Sequence, residues 1–149
     1  MPKVIPDTSC LILLRKIGAL NLLDQLFDEV LITETVLWEF NEPVSIPYKL
    51  AKIENKDFFK LVSLQLDPGE ASVICMASDQ QDYLMVLDDL KGRKVANALG
   101  LNFTGTLGVL VKAKRNGLIE KLEPYVERLL QVGIRISSQV LNEVKKDYP

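Results

Sequence analysis

Leu84-Met85-Val86-Leu87-Asp88-Asp89 runs directly into Leu90-Lys91-Gly92-Arg93-Lys94-Val95-Ala96, so that four apolar residues are followed by two carboxylates and a stretch of helical period. A short apolar run bounded in this way suits a strand buried on both faces, as in a parallel sheet covered by helices. The pattern occurs first at the N-terminal end, where Val4-Ile5-Pro6 is followed by Asp7 and a helix-period segment. Working outward, the apolar β-prone runs predict strands at 3–5, 30–32, 59–64, 84–87 and 101–103, with a weaker one at 134–136. Helices are expected at 9–16, after Thr8 or Ser9 as N-cap, at 22–27, and from Thr33 or Thr35 to Asn41, before Pro43 and Pro47. Asp67-Pro68-Gly69-Glu70 is a strong start signal for a helix over 68–78, with an acceptor, proline at the first helical position and Glu at the third. Further helices are expected at 90–99, 105–116 and 124–133, and a last one after Ser137 or Ser138, with Gly100, Gly117 and Gly133 as stops. This alternation predicts an α/β fold, a three-layer α/β/α sandwich with a mainly parallel central sheet, as a single domain over 1–149.

The chain has 149 residues, 48% of them hydrophobic and 26% charged, which excludes disordered and disulfide-scaffold classes. It contains no histidine. Ser-His and Cys-His nucleophiles and imidazole metal sites are therefore excluded, and carboxylates are left as the plentiful catalytic groups. Cys10 and Cys75 lie far apart in apolar runs, which predicts inert buried thiols and a reduced, cytoplasmic setting. Arg15, Lys16 and Asp24 interrupt the most apolar stretch, so no membrane span is expected. The net charge of −2 conceals a division: residues 1–90 carry 7 basic and 15 acidic side chains, whereas 91–115 carry 6 basic and none acidic.

In open α/β sheets ligands gather beyond the carboxyl ends of the strands. Asp7 and Asp88 both stand there, although either could simply cap the next helix. Glu39 is the candidate third acid, one turn after Thr35-Val36 on a segment whose apolar residues face inward. Glu34 fits a dipole-favoured first-turn position, and Glu70 fits the reciprocal half of a capping box as well as a site role. Hard cations such as Mg²⁺ or Mn²⁺ take oxygen ligands and can drive phosphodiester cleavage without imidazole. Lys91, Arg93 and Lys94, directly after the Asp88-Asp89 pair, could hold a phosphate chain, or could belong to a solvated helix face.

Taken together, Asp7-Thr8-Ser9, Thr35-Val36-x-x-Glu39, Asp67-Pro68-Gly69-Glu70-Ala71, Leu87-Asp88-Asp89 with Gly92-Arg93-Lys94-x-Ala96, and Gly105-Thr106-Leu107-Gly108 resemble the PIN-domain ribonucleases over roughly the whole chain. The resemblance implies a Mg²⁺- or Mn²⁺-dependent ribonuclease of VapC-like toxin type, restrained by a small antitoxin and forming a homodimer. It implies Asp7, Glu39 and Asp88 as catalytic acids and metal ligands, joined by Asp89 and Glu70, with Lys91, Arg93 and Lys94 on the RNA. Thr8 or Ser9 would support the first carboxylate. Where many members carry a fourth acid this chain reads Phe103-Thr104-Gly105-Thr106, so Thr104 or Thr106 would hold a metal-bound water in its place. With that charge missing, weaker metal affinity or loss of activity is expected. The alternative function is then a catalytically silent PIN-like module binding RNA or a protein partner.

Overall fold

The computed structural model describes residues 2–80 and 82–146. Met1, Gln81 and residues 147–149, which the expected 1–149 domain includes, lie outside the described residues. Five strands are described: β1 (Lys3–Pro6), β2 (Glu29–Thr33), β3 (Lys49–Ala51), β4 (Tyr83–Val86) and β5 (Phe103–Thr104). They form one all-parallel sheet in the order β3-β2-β1-β4-β5. The described helices are α1 (Thr8–Lys16), α2 (Asn21–Leu26), α3 (Glu34–Phe40), α4 (Lys56–Ser63), α5 (Pro68–Asp79), α6 (Leu90–Ala98), α7 (Thr106–Arg115), α8 (Glu123–Gln131) and α9 (Ser138–Lys145). The expected α/β/α sandwich with a parallel central sheet is what the chain forms.

The core lies on both faces of the sheet. Val4, Ile5, Ile32, Met85 and Val86 are fully or almost fully buried, as the strands of a doubly covered sheet must be. α5 packs on β1, β2 and β4 and against α3, α4 and α6, while α7 packs against α1 and α2. This explains why Ala71-Ser72-Val73-Ile74-Cys75-Met76-Ala77 is buried all round and has no polar stripe. Cys10 and Cys75 are buried free thiols, as expected.

Two strand expectations fail. Residues 59–64 belong to α4 and its C-terminal cap, because Asn55 accepts a hydrogen bond from the Phe58 amide at 3.1 Å and starts a helix that buries Val62. Leu61 and Leu64 of that apolar run point outward, 60% and 81% exposed. The run therefore mimics a strand only in composition. Its place at the sheet edge is taken by β3, three residues long and preceded by Pro43 and Pro47. Residues 134–136 pair with no described strand and form an irregular lead into α9. Helix starts are also sharper than expected: Asp7, not Thr8 or Ser9, caps α1, and of the two candidates Thr33 caps α3. Among the described residues no helix is long and apolar enough to cross a membrane.

Candidate active site

β1 leaves the sheet centre toward β2 on one side, and the order reverses between β1 and β4, the position at which open α/β sheets form a crevice. Pro6 pairs with Val86 in parallel register, so Asp7 and Asp88 emerge side by side from adjacent strands. The Asp7 amide donates to the Val86 carbonyl at 3.2 Å, and the Asp7 Oδ1 accepts from the Cys10 amide at 2.8 Å. Asp7 is only 2% exposed. Burial, opposed by the Cys10 hydrogen bond and joined by the charges of Asp88, Asp67 and Glu39, pushes its carboxyl up to about 7.

Glu39 reaches the same edge from α3, where its Oε1 accepts from the Thr8 hydroxyl at 2.6 Å. A Cβ on Gly69 would stand 2.0 Å from that Oε1 and 3.0 Å from the Thr8 Oγ1, so the glycine after Pro68 leaves the room that the Glu39 carboxylate fills. A buried hydroxyl relay sets this geometry. Ser72 donates to the Gly69 carbonyl at 2.7 Å, and Thr33 accepts from the Val36 amide at 3.1 Å while its Oγ1 lies 2.7 Å from the Ser72 Oγ. Since Ser72 has one proton, Thr33 is the donor of that pair. Glu34 sits exposed in the first turn of α3, the dipole-favoured position expected of it.

Asp88 is held by one residue at both oxygens: the Thr106 amide donates to Oδ1 at 2.9 Å and the Thr106 hydroxyl to Oδ2 at 2.6 Å. Thr106, expected to hold a water, is thus committed to the acid itself, which caps α7 from outside the helix. The Thr104 Oγ1 lies where a Cβ on Gly108 would be, 2.0 Å from that position. Ser9 is exposed on the first turn of α1. Glu70 does not complete a capping box. Its amide donates to the Asp67 Oδ1 at 2.9 Å, but its own Oε2 is buried without a partner, 2.8 Å from where a Gly92 Cβ would be. Burial, then a hydrogen bond with Asp67 and its charge, then the charges of Asp89 and Asp7 push the Glu70 carboxyl well above the usual carboxylate range. Asp89 therefore acts on Glu70, whereas Asp88 acts on Asp7. Asp67, read from the sequence only as a cap, acts on both groups.

Among the described residues no three acidic or thiol side chains form a ready ligand set. The donors nevertheless suit a hard cation. They are all oxygens, the acids around Asp7 raise its pKa, and a cation placed among them would reverse that effect. A family profile described as a PIN domain matches residues 3–148. The chain belongs to the PIN-domain family. PIN domains are in general nucleases and typically use divalent metals. No curated protein matches the chain.

Around this PIN-domain site the expected basic trio divides. Arg93 folds back over the strand ends, with Nε donating to the Leu87 carbonyl at 2.7 Å and its guanidinium 5.2 Å from the Phe103 ring centre. A Cβ on Gly105 would lie 2.4 Å from its Nη2 and 2.8 Å from the Asp88 Oδ1, so Arg93 and Asp88 share the space this glycine leaves open. Lys91 and Lys94 instead line a separate depression with Leu64, Gln65 and Leu66. Beside Asp88 a cleft of about 670 Å³ carries Arg93, Lys112 and Arg115. Lys112 and Arg115 belong to the basic stretch 91–115, but their meeting with Arg93 depends on how α7 crosses the sheet.

Proposed function

We propose that this PIN domain is a Mg²⁺- or Mn²⁺-dependent endoribonuclease, active as a single domain in the cytoplasm and serving as the toxin of a toxin-antitoxin pair. The observation that supports it best is the gathering of Asp7, Glu39 and Asp88 at the strand-order reversal, with the Asp7 carboxyl raised first by burial and then by the charges of the other acids. Asp7, Glu39 and Asp88 are the residues that would hold a divalent ion, with Glu70 and Asp89 behind them. When bound, such an ion supplies an activated water and stabilises the leaving oxygen of a phosphodiester. The chain's own contribution is preorganisation. The Cys10 amide orients Asp7, the Thr8 hydroxyl orients Glu39, Thr106 orients Asp88, and Arg93 stands ready for a phosphate.

Exposed apolar side chains, Trp38 at 81% and Leu64 at 81%, offer surface for an antitoxin or a second copy. The test is Asp7→Asn, which should reduce Mg²⁺- or Mn²⁺-dependent cleavage of an RNA pool to background while circular dichroism is unchanged. Full activity in that variant would overturn the reading. A second reading, a silent module binding RNA or a protein, is favoured by the double engagement of Asp88 by Thr106. It predicts no cleavage with either metal, together with salt-sensitive RNA binding that weakens in Arg93→Ala.

A further inference from the structure

Two clefts meet at Asp88, and their chemistry differs. The basic cleft described above runs along α7 toward Lys112 and Arg115. Asp88 also lines a second cleft of about 580 Å³, walled by Leu13, Leu90, Leu107, Ile134, Ile136 and Val140. Leu107 and Asp88 line both. Thr106, Arg135 and Ser137 add polar groups to the apolar cleft, and Arg135 is the only cation on its walls among the described residues. A volume of this order, with apolar walls and a few polar groups, is that of a small-ligand pocket. A phosphate chain would find little there, whereas the neighbouring cleft offers Arg93, Lys112 and Arg115.

We propose that the apolar cleft is a nucleobase subsite, which takes one unstacked base of single-stranded RNA beside the phosphate at Asp88. This rests on the ribonuclease reading above. The aliphatic walls give the base apolar contact, the Arg135 guanidinium offers a plane on which it can stack, and Ser137 and Thr106 offer hydroxyls to its edge. The strand on the other side of Asp88 is held through phosphates alone. Base preference is therefore confined to one side of the cut, because only one of the two clefts can read a base.

The experiment uses the full chain carrying Asp7→Asn and a single-stranded RNA in which one 2-aminopurine is moved position by position. Binding should raise its fluorescence at one position through unstacking. The double variant Ile136→Met/Val140→Met fills the cleft without adding a ring or a charge, at partly buried or exposed positions outside the core, and should abolish that rise. Lys112→Glu should weaken binding of every RNA while the rise at saturation persists. Without Asp7→Asn, cleavage of a randomised RNA pool should show a preference of about tenfold at one position on one side of the cut, flattened by the double methionine variant. A rise at no position, or one that survives the double variant, overturns the subsite whether or not the protein cleaves RNA. A positional rise lost in the double variant, with no cleavage by the unsubstituted chain in either metal, supports the subsite and overturns the ribonuclease reading instead.

Discussion

Asp7 performs two tasks that pull its protonation in opposite directions. As the cap of α1 it accepts the Cys10 amide, which favours the anion, but burial and the neighbouring acids favour the neutral form and raise it from 3.8 to about 7. Because the folded value lies above the unfolded one, the native state binds more protons between these two limits. Asp7 therefore makes stability fall as pH rises from about 4 to about 7, with no further change above. The melting temperature of Asp7→Asn should lack this component, so metal-free wild type and variant should diverge across that window. Mn²⁺ added at or above pH 7 should raise the melting temperature of the wild type and not of the variant. A different outcome follows at Gly69: Gly69→Ala suits a helix by intrinsic preference, yet its Cβ would displace the Glu39 carboxylate. Cleavage should fall by about tenfold or more, as when groups supporting a metal ligand are lost, with little change in the denaturation midpoint. At this scale Asp7, Glu39 and Asp88 are legible in the sequence, since strand ends and helical spacing place them at one edge. Asp67 and the space-making glycines are not, because what matters there is which side chain from a distant element fills the room.

At the scale of elements, what decides legibility is whether the signal is local. α5 announces itself through Asp67-Pro68 and a continuous apolar run, and its bounds differ from expectation by one residue at the C-terminal end. α4 reads as a strand and β3 goes unread because both are short. The apolar residues of α4 are partly left outside the core, and β3 is a strand only because β2 pairs with it. The relay from Thr33 through Ser72 to Gly69 joins the end of β2, the cap of α3 and the first turn of α5. Ser72→Ala would strand the Thr33 hydroxyl in a buried setting and should cost about 1–3 kcal/mol in urea denaturation. Its effect on cleavage should exceed that of an equally destabilising substitution in α8, since only the relay touches the Glu39 setting.

For the whole molecule, the near-neutral net charge is a poor guide to the field an RNA would meet. Arg93 and Lys112 share the cleft beside Asp88, whereas Lys91 and Lys94 face the end of α4. Replacing Arg93 or Lys112 by alanine should lower the salt dependence of RNA affinity by about one ion each, and the same change at Lys91 should alter it less. The basic block is visible in the sequence, but its division into two surfaces appears only when α6 and α7 are set on the sheet. The central position of β1 also bears on how the protein is made. β1 meets β2 early in the chain but waits for β4, and Asp88 in turn waits for Thr106 beyond β5. A ribosome must therefore extrude most of the polypeptide before the three acids can assemble. On the ribonuclease proposal, ribosome-bound chains halted before Thr106 should therefore cleave no RNA, because strand order delays completion of the site.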